Sequence, residues 1–215
     1  MNNINTKAYW DNRFKADWEK KSGRSQTADF AKDQIPYFDI SSDFDGSILD
    51  FGCGLGDAIP IYKKSYPNAK LYGVDISSVG IEKCKKKYGS MADFTAGTEK
   101  EMQDVDIVIA SNVFEHLTDD KKVAEKILKK TKVLYIIVPY KEKRLMNEHI
   151  NSYDELYFSE FNVLWFKIFF SKGWTEYGFR LFKLRARNFI RLLAGKEIQP
   201  RSRQIMFYLT RDEKS

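Results

Sequence analysis

The chain has 215 residues, 43% of them hydrophobic, which suits one α/β domain with its core between a sheet and two helical layers. No apolar run reaches the ~20 residues of a membrane span, and the start, Met1-Asn2-Asn3-Ile4-Asn5, lacks a signal-peptide core, so a cytoplasmic protein is expected. The net charge of +6 is uneven: residues 172–203 carry nine basic and two acidic residues, a surplus of seven that leaves the rest at −1 and directs an acidic partner to that stretch.

In chain order, residues 7–20 place Tyr9, Trp10, Phe14 and Trp18 among charges and predict an amphipathic helix ahead of the sheet. Residues 21–29 are polar and predict a mobile loop. Ile48 and Leu49 end a buried strand that runs into Asp50-Phe51-Gly52-Cys53-Gly54-Leu55-Gly56, after which a helical stretch begins. Three glycines there let the backbone turn tightly and approach a ligand, at the crevice where open α/β sheets bind nucleotide-like molecules. Asp75 closes a second apolar run, Leu71-Tyr72-Gly73-Val74, at the distance where an acid suits a pair of ribose hydroxyls. Dinucleotide sites space their glycines GxGxxG, whereas this loop reads GxGxG. It also has Asp50 two residues before its first glycine, where a carboxylate repels phosphate and attracts an ammonium.

DFGCGLG followed by GVDIS resembles the first two motifs of the class I S-adenosylmethionine-dependent methyltransferases, and the resemblance runs from about Tyr9 to Thr210. It implies a doubly wound, Rossmann-like sheet of seven strands in the order 3-2-1-4-5-7-6, with an antiparallel last strand. It further implies S-adenosylmethionine as cofactor. Gly52, Cys53, Gly54 and Gly56 then lie against its methionine part, Asp50 faces its ammonium, Asp75 takes its ribose, and Ile76 is a further cofactor contact. In that family an N-terminal helix often covers the cofactor, and "YWDNRF" is similar to it. Arg13 would then meet the cofactor's carboxylate, the alternative being aromatic packing with a solvated arginine.

Beyond Asp75, Ser77 or Ser78 is placed to cap a helix running to about Tyr88. A short strand over 92–96 leads to Gly97, where the family usually has an acid for the adenine amino group and this chain has Thr98. Thr98, Glu99 or a backbone amide takes that edge. Residues 106–111 form a nearly continuous apolar run, as a central parallel strand requires, and lead into Asn112-Val113-Phe114-Glu115-His116-Leu117, similar to the family's "EHL" ending. Asn112, Glu115 and His116 are therefore site candidates, with Asn112 on the cofactor. The bland alternative has Thr118 or Asp119 capping the next helix and His116 orienting the turn.

A fifth strand, 133–138, ends in Pro139, read as strand punctuation. Asn147 to Leu156 resembles a stretch found after the fifth strand in small-molecule and glycan methyltransferases, and His149 lies in it. Only two histidines occur in the chain, and both are placed in loops at the sheet's carboxyl edge. Residues 162–171 and 204–210 read as the last two strands. Between them, Phe179, Phe182, Phe189, Ile190 and Leu193 fall on one helical face and Arg180, Lys183, Arg187 and Arg191 on an adjacent one.

The expected activity is methylation of an oxygen, with His149, or failing that His116, as the base. No resident metal is expected. The two cysteines, Cys53 and Cys84, lack ligand spacing, and a metal-assisted version using Glu115, His116, Asp119 and Asp120 is the lesser reading because those acids also suit helix capping. The expected acceptor is an anionic small molecule or glycan, phosphorylated, nucleotide-linked or lipid-linked, as in polysaccharide biosynthesis. The basic insertion would hold its phosphate, lie on an anionic membrane surface, or pack its apolar face on the sheet with its arginines solvated. Methylation of RNA, or a non-catalytic nucleic-acid-binding module on a cofactor-like fold, is the alternative. The charge is confined to one insertion and no nucleic-acid module pattern appears, so nucleic acid is the less favoured partner.

Overall fold

The structure, a computed structural model, describes residues 4–16, 18, 23–142, 145–172, 179–198 and 202–211, the side chains of 179 and 180 excepted. Its strands are β1 (Ser47–Phe51), β2 (Lys70–Asp75), β3 (Ala92–Ala96), β4 (Val105–Ser111), β5 (Thr131–Pro139), β6 (Val163–Phe169) and β7 (Gln204–Thr210). They form one sheet in the order β3-β2-β1-β4-β5-β7-β6. Every pairing is parallel except those of β7, which runs antiparallel to both β5 and β6. The helices are α1 (Lys7–Ala16), α2 (Gly23–Gln34), α3 (Ile59–Ser65), α4 (Ser78–Tyr88), α5 (Asp120–Leu128) and α6 (Phe179–Leu193).

Alternation along the central strands builds two cores. Ile107 and Ile109 of β4 and Tyr135 and Ile137 of β5 face a layer that includes Ala31, Ile59, Tyr62, Ile81 and Cys84. Val108 and Ala110, with Leu134, Ile136 and Val138, face Ala124 and Ile127 of α5 and the rings of Tyr153 and Phe158. Both faces are thus covered, which is why β4 and β5 read as continuous apolar runs. Ser77 caps α4, its hydroxyl accepting the Gly80 amide at 3.0 Å. Among the described residues no helix is long and apolar enough to cross a membrane.

Three local expectations need correction. The predicted polar loop is helical from Gly23 onward, residues 21 and 22 lying outside the described part. Only Phe30, Ala31 and Gln34 of that helix, besides Gly23, are buried, so its apolar signal is confined to the last turns and its first turns read as loop. The N-terminal helix closes at Ala16 rather than continuing to residue 20, with 17, 19 and 20 outside the described residues. At α5 the Asp119 side chain makes no cap; it pairs with Lys122 at 3.1 Å in solvent.

The basic insertion contains α6, while 173–178 and 199–201, with the side chains of Phe179 and Arg180, lie outside the described residues. Leu181, Leu184, Asn188 and Arg191, at helical spacing, are half-buried. Phe182, Phe189, Ile190 and Leu193 are instead exposed, Leu193 to 73%. The reading in which this apolar face packs on the sheet is therefore wrong: the side chains of Phe182, Phe189, Ile190 and Leu193 point to solvent.

Candidate active site

The loop after β1 carries three left-handed glycines, with φ of 73° at Gly52, 54° at Gly54 and 72° at Gly56. A Cβ on Gly52 would lie 2.3 Å from Val113 Cγ2, so position 52 requires glycine for conformation and for space. The amides of Gly52 and Cys53 both donate to Val74 O, at 2.7 and 3.0 Å, which ties the loop to the end of β2. Asp75 continues that clamp: one carboxylate oxygen accepts the Gly54 amide and the other the Ser77 amide, both at 2.8 Å. Each oxygen keeps a second lone pair for a ligand hydroxyl. Burial raises the Asp75 carboxyl to about 6 against the pull of those two amides.

Asp50, at the end of β1, is 5% exposed, and no side chain among the described residues bonds to its carboxylate. Burial, with the nearby Asp75 charge, lifts it to about 7. A buried carboxyl so placed is stabilised in its charged form only when a cation arrives.

Asp50 and Asp75 line one cavity of about 320 Å³ together with Gly52, Cys53, Gly54, Ile76, Thr98 and Asn112. Gly56 faces away, toward Cys84, Tyr88 and Phe94, so it shapes the loop without lining the cavity. Cys53 contributes backbone, its thiol being part of the core. At the β3 end, the Thr98 hydroxyl and amide are held by Glu101, and Glu99 is paired with Lys126 at 2.9 Å. Gly97, Thr98 and Glu99 all line the cavity there, Glu99 with one carboxylate oxygen on Lys126. Asn112 adopts φ 56°, a left-handed turn that asparagine tolerates. Its side-chain oxygen accepts from Gln204 at 2.9 Å, and Gln34 donates to the adjoining Ser111 at 2.8 Å. These buried glutamines carry no motif that would have flagged them.

The cavity is also lined by Glu115, His116, Met146, Glu148 and His149. A 3-10 turn, Phe114–His116, is locked to the 147–151 loop: the Ile150 amide donates to Glu115 O at 2.8 Å and Asn151 donates to Leu117 O at 2.8 Å. His116 Nδ1 lies 2.9 Å from Glu148 O, and His149 Nδ1 lies 2.6 Å from Glu142 Oε2. Those partners only accept, so the neutral form of each ring carries its hydrogen on Nδ1 and its lone pair on Nε2. The two rings stand 5.0 Å apart. Burial lowers His116 to about 4, with the Glu148 carbonyl pulling the other way. His149 loses to burial but gains more from Glu142 and Glu115, and ends above its ordinary value. Glu115 is driven up to about 8 by burial. The expected companions of Glu115 and His116 are elsewhere: Asp119 is in solvent, and Asp120 accepts the Tyr153 hydroxyl at 2.9 Å.

Helix α1 lies over this cavity and presents Trp10, Arg13 and Phe14 to it. It is pinned by Asp11, which accepts Ser77 Oγ at 2.6 Å and the Val79 amide at 3.2 Å, and by Lys83, which donates to Phe14 O at 2.6 Å. Tyr9 and Arg13 both reach Glu148, Arg13 at 3.5 Å. Arg13 Nε is buried without an acceptor among the described residues. Helix α2, absent from the sequence reading, supplies Gln26, Thr27 and Phe30 to the wall.

Residues 49–132 match a family described as a methyltransferase domain. A sequence search among curated proteins found no match. In structure the chain is similar to the methyltransferase in complex with the Haloferax volcanii Trm112 methyltransferase activator, with TM-score 0.69, 14% identity, and 94% of this chain and 97% of that one covered. It is also similar to coclaurine N-methyltransferase bound to N-methylheliamine and S-adenosylhomocysteine (TM-score 0.64, 13% identity, 86% and 72% covered). A third likeness is to an S-adenosylmethionine-dependent methyltransferase from Aquifex aeolicus (TM-score 0.60, 16% identity, 89% and 96% covered). At these identities the structural likeness establishes the fold.

Proposed function

We propose that the chain is an S-adenosylmethionine-dependent methyltransferase that methylates a hydroxyl of an anionic, sugar-like acceptor, a reading supported by the methyltransferase-domain pattern of residues 49–132 on a seven-stranded sheet of matching order. The observation that carries the proposal is the pair of imidazoles lining the cavity, the buried His149 held by Glu142 and the half-buried His116 by Glu148 O. An amine acceptor needs no such apparatus once neutral, whereas an unactivated hydroxyl does.

The cavity fits the cofactor on two counts: a glycine loop in which a Cβ at Gly52 would collide with Val113, and a buried Asp50 carboxylate that has no counter-charge among the described residues. Asp50 would pair with the ammonium, Asp75 would use its remaining lone pairs on the ribose, and Arg13 would meet the carboxylate. When bound, S-adenosylmethionine supplies a sulfonium methyl that is electrophilic by itself. The chain's own task is then alignment and exclusion of water, for which Trp10 and Phe14 on α1 form the cover. Positioning of this kind supplies ~7–11 kcal/mol of barrier reduction. His149 Nε2 would take the hydroxyl proton, worth a further ~10²- to 10⁴-fold.

The test is incubation with labelled cofactor and a panel of phosphorylated and nucleotide-linked sugars, with mass spectrometry locating the new methyl. Product methylated on oxygen is expected; product methylated on nitrogen overturns the proposal. His149→Ala should lower kcat by about 10²- to 10⁴-fold with cofactor affinity within a few fold of wild type. Undiminished turnover in a His149→Ala/His116→Ala double variant removes the base assignment.

Exposure of α6 supports a lipid-linked form of the acceptor. Phe189, Ile190, Leu192 and Leu193 are exposed beside the exposed Arg185 and Arg187, the make-up of a helix that lies in an anionic membrane surface. Binding to vesicles containing an anionic phospholipid, weakened by salt and lost in Phe189→Ser/Ile190→Ser, is expected in co-sedimentation. Equal recovery with neutral vesicles, or none with either, would leave soluble phosphorylated acceptors as the class.

A further inference from the structure

Glu115 is the least comfortable residue in the cavity wall. It is 1% exposed, and among the described residues neither carboxylate oxygen has a hydrogen-bond partner. Burying an unpaired carboxylate costs several kcal/mol, so the site is incomplete without a cation or a proton there. Two imidazoles adjoin it. One ligand atom from each of Glu115, His116 and His149 lies within 4.8 Å of the other two.

The hydrogen bonding of the two rings is the arrangement of metal ligands. A ligating histidine donates its second ring hydrogen to a carboxylate or a backbone carbonyl, which fixes the tautomer and turns the other nitrogen's lone pair to the ion. Here His149 Nδ1 is 2.6 Å from Glu142 Oε2, and His116 Nδ1 is 2.9 Å from Glu148 O. The loop that brings His149 to the cluster is tied to it by the Ile150 amide, 2.8 Å from Glu115 O.

We propose that Glu115, His116 and His149 bind a divalent first-row transition cation, and that the ion's remaining positions take the oxygen of the methyl acceptor. The proposal rests on the methyl-transfer reading for what the ion is used for, but not for its existence. Two neutral imidazoles and one carboxylate suit such an ion rather than calcium, which prefers oxygen ligands throughout. Bonds of about 2.0–2.2 Å would draw the three ligand atoms closer together than they stand now. Three protein ligands leave coordination open, as sites that bind a reacting oxygen do. A hydroxyl bound there is acidified and its proton passes to solvent water. With the ion bound the two histidines hold it and do not take that proton, so His149 is the base only in a protein that binds no ion.

The experiment is direct. Chelator-treated, full-length protein is titrated with Co²⁺, followed by visible absorption and by metal analysis after gel filtration, with S-adenosylhomocysteine calorimetry reporting that each variant is folded. One Co²⁺ per chain is expected. Glu115→Gln and His149→Ala should weaken binding more than about 100-fold, and Glu142→Gln, which acts through His149, by about 10- to 100-fold. Asp119→Asn, in solvent, should leave binding unchanged. If Glu115→Gln loses S-adenosylhomocysteine as well, its fold is compromised and Glu142→Gln carries the same test. Absence of stoichiometric Co²⁺ in a protein that binds S-adenosylhomocysteine overturns the metal site and leaves the histidine-base reading standing. Equal Co²⁺ affinity in wild type, Glu142→Gln and His149→Ala overturns it too. Stoichiometric Co²⁺ in a protein that methylates nitrogen would instead sink the hydroxyl reading and keep the site.

Discussion

Asp50→Asn is expected to lose S-adenosylhomocysteine binding by at least about 100-fold while making the unliganded protein more stable at pH 8. The two effects have one cause. Burial first, and the Asp75 charge second, move the Asp50 carboxyl from its ordinary 3.8 up to about 7. For an acid whose folded value is raised, the penalty is absent below pH 3.8, grows as pH climbs to about 7, and is constant above that. Its ceiling is about 4 kcal/mol. Asparagine escapes it. Denaturant titrations should therefore show wild type losing ground to Asp50→Asn between pH 4 and 7, not above.

The same group makes ligand binding depend on pH. An ammonium ligand favours the ionised carboxylate, so wild-type affinity for S-adenosylhomocysteine should fall as pH drops below about 7, by up to tenfold per unit. The groups facing Asp50 are the Asp75 carboxyl, the Tyr62 hydroxyl and the Cys53 thiol. Burial raises Tyr62 well above the usual tyrosine value, and Cys53, hydrogen-bonded to Cys84 and buried, is raised as well. Neither competes in that range. Asp75, raised to about 6, acts in the same direction at lower pH. Calorimetry from pH 5 to 8 is the check, and a flat profile would mean that no cation meets Asp50.

Gly52→Ala is the second large expected effect. An alanine at φ 73° costs roughly 1–2 kcal/mol, and its Cβ, 2.3 Å from Val113 Cγ2, adds an overlap with a stiff β-branched side chain of roughly 1–3 kcal/mol. The loss should be read in denaturation midpoint and in cofactor affinity together, since the loop carries both. Combining it with Val113→Ala should return the overlap part but not the backbone part. Full recovery in the double variant would show that φ at position 52 is unimportant.

Which parts of this molecule were legible beforehand follows from the range of the interactions involved. The strand-loop-helix around Asp50–Gly56 and the acid at Asp75 are contiguous patterns, and the structure places Asp50, Gly52, Cys53, Gly54, Asp75, Ile76, Thr98 and Asn112 around one cavity. The continuous apolar runs of β4 and β5 are equally local, because burial on both faces leaves no polar position between them. Helix α2 was illegible for the opposite reason: its early turns are polar, and what stabilises it is packing of its last turn. Asp119 and Asp120 are neighbours of Glu115 in sequence, yet one is in solvent and the other serves Tyr153. His149, 33 positions from His116, is the one that arrives at 5.0 Å.

By itself the amino-acid order determined the nucleotide crevice, since a run of apolar residues, three glycines and two acids at set distances impose their geometry on one another through the backbone. Only the tertiary structure decided what stands opposite that crevice. The Glu115, His116 and His149 grouping, its supports at Glu142 and Glu148, and the outward apolar stripe of α6 depend on loops and faces meeting across the sheet, where spacing along the chain carries no information about distance.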